Sequence, residues 1–115
     1  MTLPLSSRSP VPAEVSTELQ RVVQRWRQLP LDHAFSYVGR VRALVQSLAD
    51  GVAETSGVTA LVVPDCGPAT LMDQLTVMVH DASAAAVSST RTSTRTSTLT
   101  STLAQDLAGL RRELR

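Results

Sequence analysis

The sequence predicts an all-α fold: a four-helix bundle or similar small helical array with a Ser/Thr-rich linker before the last helix. Three observations carry this reading. Apolar residues recur at alternating steps of four and three in four separate stretches, the spacing that lines one face of a helix. Prolines and glycines fall between the stretches, where helices start or stop. The composition is 43% hydrophobic but only 3% aromatic, so Leu, Val, Ala and Met must fill the core. A chain of 115 residues suits one domain, burying about two-thirds of the surface its unfolded form exposes.

Residues Met1 to Pro12 hold Arg8 and several prolines without a continuous apolar run. Positions 1–11 therefore read as a disordered leader and not as a signal peptide. The first helix is expected over about 12–29, with Pro12 in its first turn and Pro30 ending it. Its stripe is Val15, Leu19, Val22, Trp26 and Leu29.

A second helix is expected over about 32–56, capped by Asp32. Ala34, Val38, Val41, Val45, Leu48 and Val52 form the most regular stripe in the chain, with Tyr37 and Leu44 on one edge. Gly39 and Gly51 fall off that stripe, as does Gln46, and Gly57 is a C-terminal stop. Substitution at Gln46 should therefore cost little.

Val58 to Val63 is apolar and ends in Pro64-Asp65-Cys66-Gly67-Pro68. A single strand would have no partner, so the run is expected to be an extended connection packed over the bundle. Pro68 opens a third helix over about 68–87, with Leu71, Leu75, Met78, Ala82 and Ala85 as its main stripe. Ala69, Thr76, Val77 and Ala84 leave a second side apolar, which is the mark of a central helix or of half an interface.

From Ser89 to Leu103 a tetrapeptide repeats as STRT, STRT, STLT and STL. Serine and threonine nucleate helices poorly, so 88–98 is expected to be flexible. The fourth helix is placed at 99–114. Its stripe is Leu103, Leu107, Leu110 and Leu114, Thr102 and Gln105 form a capping box, and Arg111, Arg112 and Arg115 lie at the C-terminal end.

The formal net charge is +1, which gives no whole-protein drive toward nucleic acid or anionic membranes. All basic residues are arginine, and lysine, asparagine and isoleucine are absent, the bias of a high-GC bacterium. With one cysteine no internal disulfide can form, which points to the cytoplasm. No apolar run reaches the length of a membrane span.

Few residues carry possible chemistry. Asp73 and His80 share a helix face two turns apart, too far to hold one metal ion without other ligands. Cys66 precedes a helix whose dipole favours a thiolate, but neither a CxxC nor a placed histidine accompanies it. No phosphate-loop glycine pattern occurs. No cofactor, metal or catalytic set follows. Arginines group at Arg21, Arg25 and Arg27, and again at Arg91, Arg95 and the C-terminus. Glu14 and Glu18 dilute the first group, so a solvated mixed-charge surface is expected there.

The stretch Pro64-Asp-Cys-Gly-Pro-Ala-Thr-Leu-Met-Asp-Gln-Leu-Thr-Val-Met-Val-His-Asp81 resembles a segment of short, arginine-rich, uncharacterised actinobacterial proteins. It covers less than a fifth of the chain and implies no activity, cofactor or partner.

The expected function is a non-enzymatic helical module that self-associates as a homodimer or docks on another protein through Ala69, Thr76, Val77 and Ala84. A bundle binding a small effector among Met72, Met78, Tyr37 and Trp26 is the alternative. A weak nucleic-acid binder and an enzyme come after it.

Overall fold

The computed structural model describes residues 11–88 and 93–114, with side chains for all of these but 87–88 and 93–100. It contains helices α1 (Ala13–Gln28), α2 (Leu31–Ser56), α3 (Leu71–Ser88) and α4 (Ser93–Glu113), with one 3-10 turn at Pro68–Thr70 leading into α3. Among the described residues there is no strand. The chain is an all-α helical bundle, as its periodicity predicts. All of the expected leader but Val11 lies outside the described residues, as do 89–92 and Arg115.

The caps follow from residue chemistry, with one correction. Pro12 and Pro30 stand at the N-caps of α1 and α2, and their carbonyls accept the first helical hydrogen bonds from Ser16 and Ala34, both at 2.9 Å. Asp32 is therefore not a cap. It sits in the first turn of α2, where its charge still suits the helix dipole. Gly57 ends α2 with φ at 70°, a left-handed conformation that glycine adopts without strain.

Side-chain pairings fix the helix directions. Glu18 meets Arg111 and Arg25 meets the Leu114 carbonyl, so α1 and α4 run parallel. Arg42 lines a cleft with Gln74, while Val52 and Thr55 line another with Ala82 and Ala86, so α2 and α3 are also parallel. Arg40 reaches Glu113, and Thr55 lies across from Thr102, which sets α4 antiparallel to α2. The order is thus up, down, down, up. The most extensive packing is α2 on α3 and α1 on α4, with α3 and α4 joining the two pairs.

Two consecutive parallel helices need a return path. From Ser56 back to the level of Arg42 is about 21 Å along a helix rising 1.5 Å per residue. Residues 57–67, extended at about 3.3 Å each, can cover about 36 Å. The expectation of an extended connection over Val58 to Val63 holds, but that of a packed one does not. Val58, Leu61 and Val62 are 61%, 78% and 82% exposed, and of this run Val63 is what packs against the core. Two apolar residues in succession on an extended chain point to opposite sides, so such a run cannot bury every member against one surface.

The core joins all four helices. Val15 and Val22 come from α1; Val41, Leu44 and Val45 from α2; Leu71, Met72, Leu75 and Val79 from α3; Leu103, Leu107, Leu110 and Leu114 from α4. Each fully buried aliphatic side chain contributes roughly 1.5–3 kcal/mol. The expected stripes of α1 and α4 face this core, as does that of α2 from Val38 to Leu48, while Val52 lines the cleft beside α3 and Ala53 is buried in its place. On α3 the buried face is rotated: Val79, Ser83 and Ala86 are buried, while Met78 and Ala82 sit at its margin. A helix apolar over most of its circumference gives periodicity little contrast with which to fix its rotation.

Helix α4 begins at Ser93, six residues before position 99. Residues 93–98, expected to be part of a flexible segment, are helical. Once Leu103 to Leu114 is docked, extending the helix toward its N-terminus adds one hydrogen bond per residue without a new nucleation step. Thr102 is consequently interior and caps nothing, which removes the expected capping box with Gln105.

Candidate functional site

The turn that leads into α3 is built by Asp65. Its Oδ1 accepts the Gly67 N–H at 3.0 Å and pairs with Arg42 at 3.3 Å. This closes an Asx turn and ties the connection to α2. Gly67 takes φ 91°, where a β-carbon would be strained. Thr70 Oγ1 then donates to the carbonyls of Cys66 and Gly67, both at 3.1 Å. Further along α3, Gln74 Nε2 donates to the Pro64 carbonyl at 2.9 Å. The end of the connection therefore lies beside α3, one turn before Val77.

The proposed interface residues take distinct positions. Val77 is 56% exposed, and Ala69 and Thr76 are also exposed. Thr76 turns its hydroxyl back onto the Met72 carbonyl at 2.8 Å, which leaves its methyl group as the outward chemistry. Ala84 is half-buried. Val77 and Ala84 are seven residues apart, so they lie on one face two turns apart. Asp73 and His80 are exposed and share that face.

Chemistry at these positions is sparse. His80 Nδ1 stands 3.9 Å from Asp81 Oδ1, with both side chains half in solvent. Cys66 is an exposed free thiol. Among the described residues no group of three or more His, Cys, Asp or Glu is placed to hold a metal ion, and no helix is long and apolar enough to cross a membrane.

The effector-pocket residues do not gather as expected. Met72 is in the core, and Trp26, Tyr37 and Met78 pack against it. An apolar cavity of about 200 Å³ lies instead between α2, α3 and α4, with Leu48, Val52, Ser83, Ala86 and Leu103 on its walls. Ser83 is 4% exposed, and among the described residues its hydroxyl has no hydrogen-bond partner.

Two features escaped the periodicity. Gln46 donates to the Leu61 carbonyl at 3.0 Å and accepts the Val63 N–H at 2.8 Å, so a residue off the stripe is a structural pin. Arg21 and Arg25 of the first arginine group and Arg111 and Arg112 of the C-terminal one also converge on a single groove, formed where α1 and α4 end. Asp65 two residues before Gly67 is a sequence cue for the turn, whereas nothing local marks Gln46 or the groove.

No protein-family model, curated protein or solved structure matches this chain.

Proposed function

We propose that the protein is a non-enzymatic helical module that pairs with a second copy of itself through the outer flank of α3. The observation that carries this reading is the exposure of Val77 beside an apolar connection that is itself exposed. Leu61 and Val62 lie two to three residues before Pro64, and Pro64 is bonded to Gln74 one turn from Val77. Large exposed aliphatic side chains gathered on one flank mark interaction surfaces. The charges around Val77 favour a second copy as the partner. Asp73 lies four residues before Val77 and His80 three after it. An antiparallel pair of α3 helices with Val77 at the two-fold axis sets each Asp73 opposite His80 of the partner subunit, and a two-fold interface makes that contact twice. Asp81, about 100° around the helix from His80, stays at the edge of the contact.

The test is light scattering, followed by crosslinking in a Cys66→Ser background. The wild type should be dimeric at micromolar concentration. Val77→Cys should form an intermolecular disulfide under mild oxidation. Ala84→Cys should not, because in the antiparallel pair its two copies stand about 21 Å apart along the axis. A wild type that is monomeric across the micromolar range removes the reading. Crosslinking at both positions would replace the antiparallel pair with a parallel one.

A second reading, a small apolar effector bound in the bundle, is favoured by the cavity beside Ser83. A pocket of this size suits a ligand near benzene in volume. Leu48→Phe should then abolish stabilisation by such ligands, read as the shift of melting temperature with ligand concentration.

A further inference from the structure

Four arginines from opposite ends of the sequence, Arg21 and Arg25 of α1 and Arg111 and Arg112 of α4, line one open groove of about 980 Å³. From this we infer a binding site for a chain of closely spaced phosphates. The parallel packing of α1 on α4 creates the site. It brings both C-terminal ends together, and each end carries arginines that suit the negative pole of its helix.

The acids near the groove are few and largely engaged. Glu18 accepts Arg111 at 2.9 Å and Arg21 at 3.3 Å, so one carboxylate is shared between two guanidinium groups. Asp32 lies in the first turn of α2. Glu113 is turned onto Arg40 at 3.1 Å, and Glu14, at the far end of α1, lies across from Ala104. By formal charge, the described residues place four arginines beside Glu18 and Asp32, with Arg112 held by a contact of its own, on a protein that is nearly neutral as a whole. The interspersed acids that argued against an arginine cluster in the sequence are thus either paired or remote.

The groove has a second source of anion affinity. Pro30 and His33 belong to its lining, which places the start of α2 at its rim. That 26-residue helix has no side-chain cap hydrogen bond, and the unsatisfied N–H groups of a helix start favour phosphate. Arg25 is already oriented, because its Nε donates to the Leu114 carbonyl at 2.9 Å and only its terminal nitrogens need turn to a ligand. Guanidinium forks match phosphate oxygens two at a time. Among the described residues no Phe, Tyr or Trp lines the groove, and His33 is its one ring, so base stacking has little platform there and the backbone charge is what it reads.

A free inorganic chain and a nucleic-acid backbone both supply such phosphates, and the experiment separates these sources. Full-length protein is titrated with tripolyphosphate and, separately, with a twelve-base-pair DNA duplex at 50 mM salt. Tighter binding of tripolyphosphate assigns the free chain, and tighter binding of the duplex assigns the backbone. With three phosphates neutralised, affinity for the duplex should fall about 40-fold between 50 and 200 mM salt. The paired variant Arg21→Gln/Arg112→Gln should lose at least tenfold in affinity. Arg27→Gln/Arg42→Gln, with the same net charge but altered away from the groove, should lose less than threefold. Circular dichroism melts of both variants confirm that each is folded at the titration temperature.

Equal losses in the two variants would overturn the site in favour of diffuse charge. So would failure of the wild type to bind either probe. Binding to anionic phosphatidylserine vesicles with no binding to tripolyphosphate or DNA would also overturn it, because Leu31 and Phe35 are exposed at the same end and could seat on a lipid surface.

Discussion

The amide of Gln46 holds the main chain at Val63 as a neighbouring strand would. Its Oε1 accepts the Val63 N–H at 2.8 Å, its Nε2 donates to the Leu61 carbonyl at 3.0 Å, and the same nitrogen reaches Asp50 at 2.8 Å. One side chain thus satisfies two backbone groups on an extended segment that has no strand beside it.

Replacing Gln46 by Leu or by Asp should therefore cost about 1–2 kcal/mol, since it leaves the partly buried Val63 N–H unpaired and loses the exposed bond to the Leu61 carbonyl. The facing of the helix alone predicted a negligible cost for Asp. Thermolysin should cleave at Leu61 or Val62 faster in either variant. Unchanged cleavage together with unchanged urea stability would show that the connection is held by other contacts.

Val45→Asp should unfold the domain. Val45 is 1% exposed and lies in the shared core. A carboxylate there meets no partner and costs several kcal/mol, a large share of a total of roughly 5–15. Loss of the cooperative thermal transition is the expected readout, and a melting temperature close to that of Gln46→Asp would contradict the core assignment.

Ser83→Ala should be neutral or stabilising by up to about 1 kcal/mol. Its hydroxyl is buried among alanines and leucines without a partner, so removing it relieves a desolvation cost. Destabilisation by more than about 1 kcal/mol would mean that an ordered water or a bound molecule satisfies the hydroxyl.

Val77→Arg should leave helical content and monomer stability within about 0.5 kcal/mol of wild type, the usual range for an exposed position. Under the proposed function it should also convert the dimer to monomer in sedimentation velocity. A variant that unfolds would show that Val77 is needed inside the subunit.

Periodicity revealed most of this fold. The leucines of α4 at spacings of four, three and four are all buried, and the stripe of α2 faces the core as read from Val38 to Leu48. On α3, leucine, methionine, valine and alanine occupy so much of the circumference that periodicity puts Met78 on the main stripe, whereas the structure buries Val79 and leaves Met78 at the margin. The return connection, the Gln46 pin and the arginine groove depend on helix direction. Only tertiary packing sets that direction. Val77 was legible as a surplus apolar position because the other stripe alone suffices to build a core.

The parallel docking of α1 on α4 has a consequence in time. The side chain of Arg25 and the carbonyl of Leu114 meet across 89 residues of sequence, so α1, made before the other three helices, must wait for α4. Closing so long a loop is entropically slow, whereas α2 and α3 can meet across the much shorter connection of 57–70. Folding should therefore start in the α2–α3 pair, and α1 should add late. Val15→Ala and Val22→Ala would then speed unfolding and leave the folding rate nearly unchanged, while Leu75→Ala would slow folding. On a ribosome, α1 should remain sensitive to protease until α4 has left the exit tunnel.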